Sequence, residues 1–286
     1  MWYLSEIHSS EARFQYVFQV NGPELVPIEY GPMMRVFAEN PPRTDPLNPR
    51  TFAGWSYVEL PDAPQQPWIT KRTGVSEGQE SQHVFKSEIL HDECTLNIYT
   101  PPGYEKEERR CWLLIAFDGG FQMMDVTLDN LSADGKIPPL VVVGVKTPTT
   151  LPRKLALDCS DEFAGFLAKE LVPWARKSYR VYADPKHTII GGMSLGGKMA
   201  AYCALKHSDV FGKVLSQSGS FLTAVRQESP TPLWKGEAPH MLASQFALSP
   251  RLPVEFYIEV GLYETVLPFS PLLETRRLRD VLRAKG

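Results

Sequence analysis

Apolar strand-like runs alternate with amphipathic patterns from about residue 82 onward. Short runs rich in apolar and β-branched residues predict strands at Val84–Leu90, Thr95–Thr100, Trp112–Phe117, Leu140–Val145, Thr188–Ile190, Lys213–Ser216 and Glu255–Val260. Apolar residues recurring at spacings of three and four predict helices at Asp161–Ser178, Leu195–Lys206 and Leu273–Ala284. This alternation predicts an α/β fold with a mostly parallel central sheet covered by helices.

The first 66 residues have a different pattern. Residues 12–20 are rich in aromatic and β-branched side chains, as strands are, and prolines are dense from Pro23 to Pro67. Too few strands are visible to bury a core of their own. We therefore predict a partial, sandwich-like β domain with a Pro-rich linker over residues 1–66, and an α/β catalytic domain over residues 67–286.

Composition and charge narrow the classes of partner that the protein could bind. The chain has 286 residues and a formal net charge of -3, which favours no nucleic-acid partner. Charged residues interrupt the first fourteen positions, and no apolar run is long enough to span a bilayer, so neither a secretory signal nor a membrane partner is predicted. The cysteines are widely spaced, with no Cys-x-x-Cys pair and no arrangement of neighbouring histidines that suggests zinc. These features predict a cytoplasmic protein with reduced thiols and no metal site.

A Gly-x-Ser-x-Gly motif carries the main chemical signal. The predicted strand at Thr188–Ile190 leads into Gly192-Met193-Ser194-Leu195-Gly196, and a helical pattern follows. In a nucleophile elbow the serine occupies a strained strand-to-helix turn, and glycines let the strand and helix approach closely. The strand before and the helix after favour an elbow over a simple glycine-rich turn.

A second motif follows an early strand. The run Trp112–Phe117 ends in Asp118-Gly119-Gly120, and the loop at this place in an α/β-hydrolase supplies an amide of the oxyanion hole. A simple turn after a core strand is the alternative interpretation.

These motifs, together with Val214-Leu-Ser-Gln-Ser-Gly-Ser-Phe221, resemble the enterochelin (ferric enterobactin) esterase family, whose members cleave the trilactone of catecholate siderophores. The resemblance extends over nearly the whole chain. It is also carried by Asp45-Pro-Leu-Asn-Pro49, Lys169-Glu-Leu-Val-Pro-Trp174 and Glu259-Val-Gly-Leu-Tyr-Glu264.

The resemblance implies roles for four residues. Ser194 would attack the ester carbonyl, and the backbone amides of Leu195 and Gly120 would hold the oxyanion. Glu264 would be the acid that orients a catalytic histidine. A solvated carboxylate at a strand end is the alternative for Glu264.

The resemblance also implies a substrate site. Arg153 and Lys154 lie where the family has an Arg-Glu pair, and their cations could meet catecholate oxygens, although solvated surface charge is the simpler interpretation. Leu222 and Thr223 replace an aromatic pair of the family. No cofactor is implied, and iron would arrive only with the substrate.

The chain departs from the family at its C-terminal end. There the family has Gly-Gly-His after the last helix, but this sequence ends at Gly286. None of the histidines occupies the last place in the order Ser, acid, His, and His240 is the least unlikely substitute. We therefore expect a fragment or truncated product lacking material at both ends, with impaired activity.

Three functions remain open from the sequence. The first is a serine esterase for catecholate siderophores. The second is a general carboxylesterase for other acyl esters, and the third is a binding module that retains the cleft without the chemistry.

Overall fold

The computed structural model describes residues 7–19, 39–52, 54–118, 120, 124–148, 150–221, 242–264 and 271–286. The chain divides into two compact units between Pro67 and Trp68. In the first unit, the antiparallel strands β1 (Arg13–Tyr16), β2 (Thr51–Phe52) and β3 (Trp55–Glu59) form a small sheet in the order β1-β3-β2.

The Asp45-Pro-Leu-Asn-Pro49 motif holds this first unit together. The Asp45 carboxylate accepts hydrogen bonds from the Tyr16 hydroxyl (2.7 Å) and the Leu47 amide (2.8 Å). The Asn48 side-chain amide donates to the Tyr16 hydroxyl (3.1 Å) and the Tyr57 carbonyl (2.9 Å). The two side chains thus connect the turn to Tyr16 in β1 and Tyr57 in β3, which is a structural role for the motif.

The second unit carries the main sheet. Its strands are β4 (Gln79–Ser87), β5 (Asp92–Thr100), β6 (Trp112–Phe117), β7 (Leu140–Val145), β8 (Thr188–Met193), β9 (Lys213–Gln217) and β10 (Glu255–Glu259). Their order is β10-β9-β8-β6-β7-β5-β4. Pairing is parallel from β10 to β7, and β5 is antiparallel to both β7 and β4. The predicted mostly parallel α/β sheet is confirmed.

Helices lie between the strands. They are α1 (Met124–Ala133), α2 (Arg153–Leu157), α3 (Asp161–Phe166 continuing through Leu167–Leu171 to Val172–Ser178), α4 (Leu195–Lys206), α5 (Leu242–Leu248) and α6 (Pro271–Lys285). Of these, α1, α2 and α5 were not predicted. None of the helices in the described part of the chain is long and apolar enough to cross a membrane.

Helix α3 shows how local sequence sets its geometry. The Ser160 hydroxyl accepts a hydrogen bond from the Phe163 amide (3.1 Å) and caps the helix. The middle of the helix widens to a π-helical turn, and the Val172 amide donates to the Leu167 carbonyl five residues earlier. Pro173 follows directly and has no amide to donate, which accounts for the irregular turn.

The core is built around the central strands and α4. Strands β6 and β7 are almost entirely buried, as parallel strands covered on both faces are. The cysteines are buried and unpaired with one another, and burial raises the pKa of Cys94 and of Cys159 to about 12. They remain protonated at neutral pH, which agrees with the structural role predicted for them.

Candidate active site

Three adjacent parallel strands end in non-glycine residues with left-handed backbone. Asp118 follows β6 (φ 59°), Ser194 follows β8 (φ 57°) and Ser218 follows β9 (φ 46°). Such conformations are costly and collect at functional sites. Because ligands of open α/β sheets bind at the carboxyl ends of the strands, this edge of the sheet is the candidate site.

The turn at Ser194 has the geometry expected of a nucleophile elbow. Ser194 has φ 57° and ψ -119°, and α4 begins at the next residue. A Cβ added to Gly192 would lie 2.6 Å from the carbonyl carbon of Gly196, and one added to Gly196 would lie 3.2 Å from Cβ of Phe117. The two glycines are therefore required for strand and helix to pack so closely.

Ser194 is tied to the end of the neighbouring strand. Its amide donates to the Gln217 carbonyl (2.9 Å), and its own carbonyl accepts the Ser220 amide (2.9 Å). The Ser194 and Ser220 hydroxyl oxygens lie 3.0 Å apart, within hydrogen-bond distance. The side chain is partly exposed, so a substrate carbonyl could reach it.

Glu264 lies at the same edge of the sheet, one strand beyond Ser218. It follows β10, and its carboxylate accepts hydrogen bonds from the Ser218 hydroxyl (2.6 Å) and the Gly261 amide (2.9 Å). Since Ser218 and Ser220 are two residues apart, one short segment contacts both predicted catalytic residues. The structure thus brings Ser194 and Glu264 to the same edge, two strands apart.

The predicted oxyanion amides have different surroundings. Leu195 is the first residue of α4, where backbone amides point out of the helix end. Gly120 has φ 101°, and its amide donates to the Phe117 carbonyl (3.1 Å) in a tight turn. To hold an oxyanion, the Gly120 amide would have to share or give up that bond. Its neighbour Gly119 lies outside the described residues.

The predicted substrate-binding residues begin helix α2. The Arg153 guanidinium binds both carboxylate oxygens of Asp118, through Nε (2.5 Å) and Nη2 (2.7 Å). Lys154 is exposed. These two hydrogen bonds make Arg153 an anchor of the turn after β6, a role that was not predicted from the sequence.

The described histidines of the second unit have other surroundings. His83 stacks on Trp174, and the His187 ring nitrogen binds Asp184 (2.7 Å) before β8 begins, at the opposite end of that strand from Ser194. His207 follows the last residue of α4, and burial lowers its pKa. Among the described residues, Ser194 contacts a serine hydroxyl rather than an imidazole. His240 lies outside the described residues.

A cavity of about 360 Å³ lies beside the turn after β6. It is lined by Gly120 and by residues of β4, β5, β7 and α1, among them Gln82, Asn97, Tyr99 and Asp125. Its described lining does not include Ser194. Its volume is at the lower end of the range for small-molecule sites.

Sequence reasoning missed the roles of Ser218 and Ser220. The segment Ser216-Gln-Ser-Gly-Ser220 was noticed only as part of a family resemblance. No strand period could have revealed them, because β9 ends at Gln217 and Ser218 has a left-handed backbone (φ 46°). The Lys169–Trp174 motif has a structural explanation instead, since the Glu170 carboxylate accepts the Ser87 hydroxyl (2.6 Å) and the Glu88 and Ile89 amides (3.1 Å each).

The fold and the serine at the strand-to-helix turn define the class as an α/β-hydrolase. The family model described as putative esterase matches residues 87–271. The chain belongs to this family, one of carboxylic ester hydrolases.

Known relatives are consistent with this assignment. The iron(III) enterobactin esterase of Escherichia coli is 34% identical over 188 residues, which are 62% of this chain and 46% of that protein. The chain thus spans about half the length of that curated relative. The structure of the enterobactin esterase from Shigella flexneri in the presence of enterobactin matches with a TM-score of 0.73 at 24% identity, over 96% of this chain and 71% of that one.

A relative named for a different activity also matches. The endo-1,4-beta-xylanase/feruloyl esterase of Xylanibacter ruminicola is 29% identical over 172 residues, which are 55% of this chain and 24% of that protein.

Proposed function

We propose that the protein is a serine ester hydrolase that opens the trilactone of catecholate siderophores of the enterobactin type. The observation that carries the proposal is Ser194 in a left-handed conformation between β8 and α4. The similarity to iron(III) enterobactin esterase supports the substrate class. A cytoplasmic location, with iron entering only as part of the substrate, belongs to the same proposal.

The proposed reaction proceeds through an acyl-enzyme. The Ser194 oxygen bonds to the ester carbonyl carbon, and the carbonyl oxygen becomes an oxyanion held by the amides of Leu195 and Gly120. The bond to the alcohol oxygen then breaks, and the proton that left Ser194 ends on that alcohol. Water hydrolyses the acyl-enzyme and releases the carboxylic acid and free Ser194. No described residue is assigned as the general base.

The acid and the cations have separate proposed roles. Glu264, fixed by Ser218 and the Gly261 amide, supplies the negative charge that stabilises a protonated base. Lys154 is exposed beside Arg153 and provides a cation for catecholate oxygens. Arg153 already binds both carboxylate oxygens of Asp118, so it would have to contact the substrate while keeping that ion pair.

The test compares substrates and variants of the full-length protein. We expect faster hydrolysis of enterobactin than of p-nitrophenyl butyrate or methyl ferulate, measured by product chromatography. Ser194→Ala should lower kcat about a millionfold, as loss of the nucleophile does in another serine hydrolase. Ser178→Ala, at an exposed serine ending α3, is the matched control and should retain the parent rate.

The other outcomes select the alternatives. Preference for methyl ferulate or the short acyl ester would replace the siderophore with a broader carboxylesterase substrate, as the feruloyl esterase similarity suggests. Tight siderophore binding without turnover would identify a binding module.

A further inference from the structure

Lys198 is a buried lysine one turn after Ser194. Its side chain has no exposed surface, and Nζ lies 2.6 Å from Oδ1 of Asp158, whose side chain is 10% exposed. The Lys198 amide also donates to the Ser194 carbonyl (3.2 Å). Because well-packed apolar residues often replace a buried ion pair without loss of stability, stability alone does not explain this pair.

The pair belongs to a polar stripe along α4. Lys198, Tyr202 and Lys206 are four residues apart and therefore lie on one face of the helix. The Tyr202 hydroxyl donates to Asp161 (2.8 Å), and Lys206 Nζ lies 2.9 Å from the same carboxylate oxygen. The nucleophile-bearing helix is thus attached at three points to the segment that joins α2 and α3.

The backbone between these attachment points is tightly constrained. Asp158 is the C-cap of α2, Asp161 is the first residue of α3, and Cys159 between them has φ 60°. A left-handed residue that is not glycine persists only where its surroundings enforce it. The contacts from α4 on either side of Cys159 supply that enforcement.

The other end of α2 reaches the turn after β6. Arg153 begins α2 and binds Asp118 with two hydrogen bonds. Asp118 is itself left-handed, and Gly120, the predicted oxyanion residue, lies two positions further on. One short helix therefore connects a contact with the nucleophile helix, Lys198–Asp158, to a contact with the predicted oxyanion turn, Arg153–Asp118.

We infer that Lys198 and Asp158 are positioning residues, which act through α2 and Arg153 to set the Asp118–Gly120 turn at its working distance from Ser194. This inference rests on the proposed esterase function. The buried pair fixes the position of α2 along α4. The two hydrogen bonds between Arg153 and Asp118 then fix the turn after β6 relative to α2. A displacement of about 1 Å at a reacting centre can lower a rate about a hundredfold.

The test removes both charges together. Lys198→Met combined with Asp158→Leu leaves no unpaired buried charge, and the melting temperature should stay at or above that of the parent. We expect kcat to fall ten- to a hundredfold and KM to change by a smaller factor, because among the proposed substrate contacts only the cations of α2 would shift. Lys213→Met combined with Glu255→Leu removes an ion pair (2.5 Å) at the first residues of β9 and β10, at the opposite end of these strands from the site. This pair of substitutions is the control and should retain the parent kcat.

Epistasis separates positioning from a general packing effect. Arg153→Met should lower kcat by itself, and adding the double change to it should lower kcat less than about twofold more, because both act through the same contact. Hydrogen exchange of the peptide spanning residues 113–124 should also rise in the Lys198→Met/Asp158→Leu variant and stay unchanged in the Lys213→Met/Glu255→Leu control.

The outcomes are distinct. Parent-level kcat and unchanged exchange in the double variant, or losses that multiply with those of Arg153→Met, would overturn the positioning role. A parent that hydrolyses no ester would overturn the proposed function, and the exchange measurement would still decide whether the pair holds the turn.

Discussion

The two predicted catalytic residues are held in different ways. Ser194 lies between a central strand and a helix, where a Cβ at Gly192 would lie 2.6 Å from the Gly196 backbone. Glu264 follows β10, the outermost strand of the described sheet, and is held by the Ser218 hydroxyl and the Gly261 amide. Next to it, Leu262 is 71% exposed and Tyr263 is 52% exposed.

This difference indicates which part of the site tolerates change. Close-packed backbone cannot relax around an added methyl group, so the nucleophile turn is fixed by the fold itself. The acid is fixed by hydrogen bonds from a few neighbours, which can be lost one at a time. Substitutions on the nucleophile side should therefore affect stability and activity together, and those on the acid side should affect mainly activity.

The largest effect on the acid side should come from Glu264→Gln. Removing the charge that stabilises a protonated base should lower kcat about 10⁴-fold, as loss of the triad acid does in a related mechanism, with little change in melting temperature. Glu259→Gln, in β10 with its carboxylate bonded to the Gln217 side chain (2.6 Å), is the control and should retain the parent rate. A Glu264→Gln enzyme with the parent kcat would remove Glu264 from the mechanism.

On the nucleophile side, Gly192→Ala should change stability and activity together. The new methyl group would lie 2.6 Å from the Gly196 backbone, so we expect a loss of about 1–3 kcal/mol in the free energy of unfolding, with a parallel loss of kcat. Gly165→Ala in α3 meets no atom within 4 Å and should instead stabilise the protein by about 0.5–1 kcal/mol. Denaturant titrations and steady-state rates measure both, and a stable, active Gly192→Ala would contradict the packing argument.

Ser218→Ala should have an intermediate effect on kcat and tests how the acid is held. It removes one of the two hydrogen bonds that orient the Glu264 carboxylate and leaves the other, from the Gly261 amide, so kcat should fall about 10- to 100-fold. The melting temperature should change little. A large loss of stability instead would show that the acid side is held by packing after all.

The smallest effect should come from Glu274 in α6. Burial raises the pKa of the Glu274 carboxyl, although the nearby Arg277 acts in the opposite direction. The protonated carboxyl therefore contributes fully to stability at pH values below its unfolded-state pKa. That contribution is lost as the pH rises through the raised pKa of the folded state. Glu274→Gln should match the parent below the unfolded-state pKa and become relatively more stable toward neutral pH. Denaturant unfolding at a series of pH values measures this difference, and a difference between the two proteins that stays constant with pH would contradict the assignment.

The sequence predicted the buried strands and the helix after Ser194 better than it predicted the short helices. Trp112–Phe117, Leu140–Val145 and Leu195–Lys206 have the predicted bounds, because their burial leaves a clear apolar pattern. Helix α2 was missed because a five-residue helix offers no period to read.

The candidate site was only partly predictable for a related reason. Ser194 was found from its Gly-x-Ser-x-Gly motif and Glu264 from the family resemblance, and their roles remain predictions. The Arg153–Asp118 and Lys198–Asp158 contacts join residues 35 and 40 positions apart, and no local pattern encodes such pairs. The structure is needed to see that α2 connects them.

The most direct measurement of the central claim is covalent labelling of the full-length protein with a fluorophosphonate, followed by peptide mass mapping. We predict one label per chain, on Ser194, that is abolished in Ser194→Ala and retained in Ser178→Ala. A protein that stays unlabelled under conditions that label a control serine hydrolase, or one labelled at another residue, would contradict the assignment of Ser194 as the nucleophile.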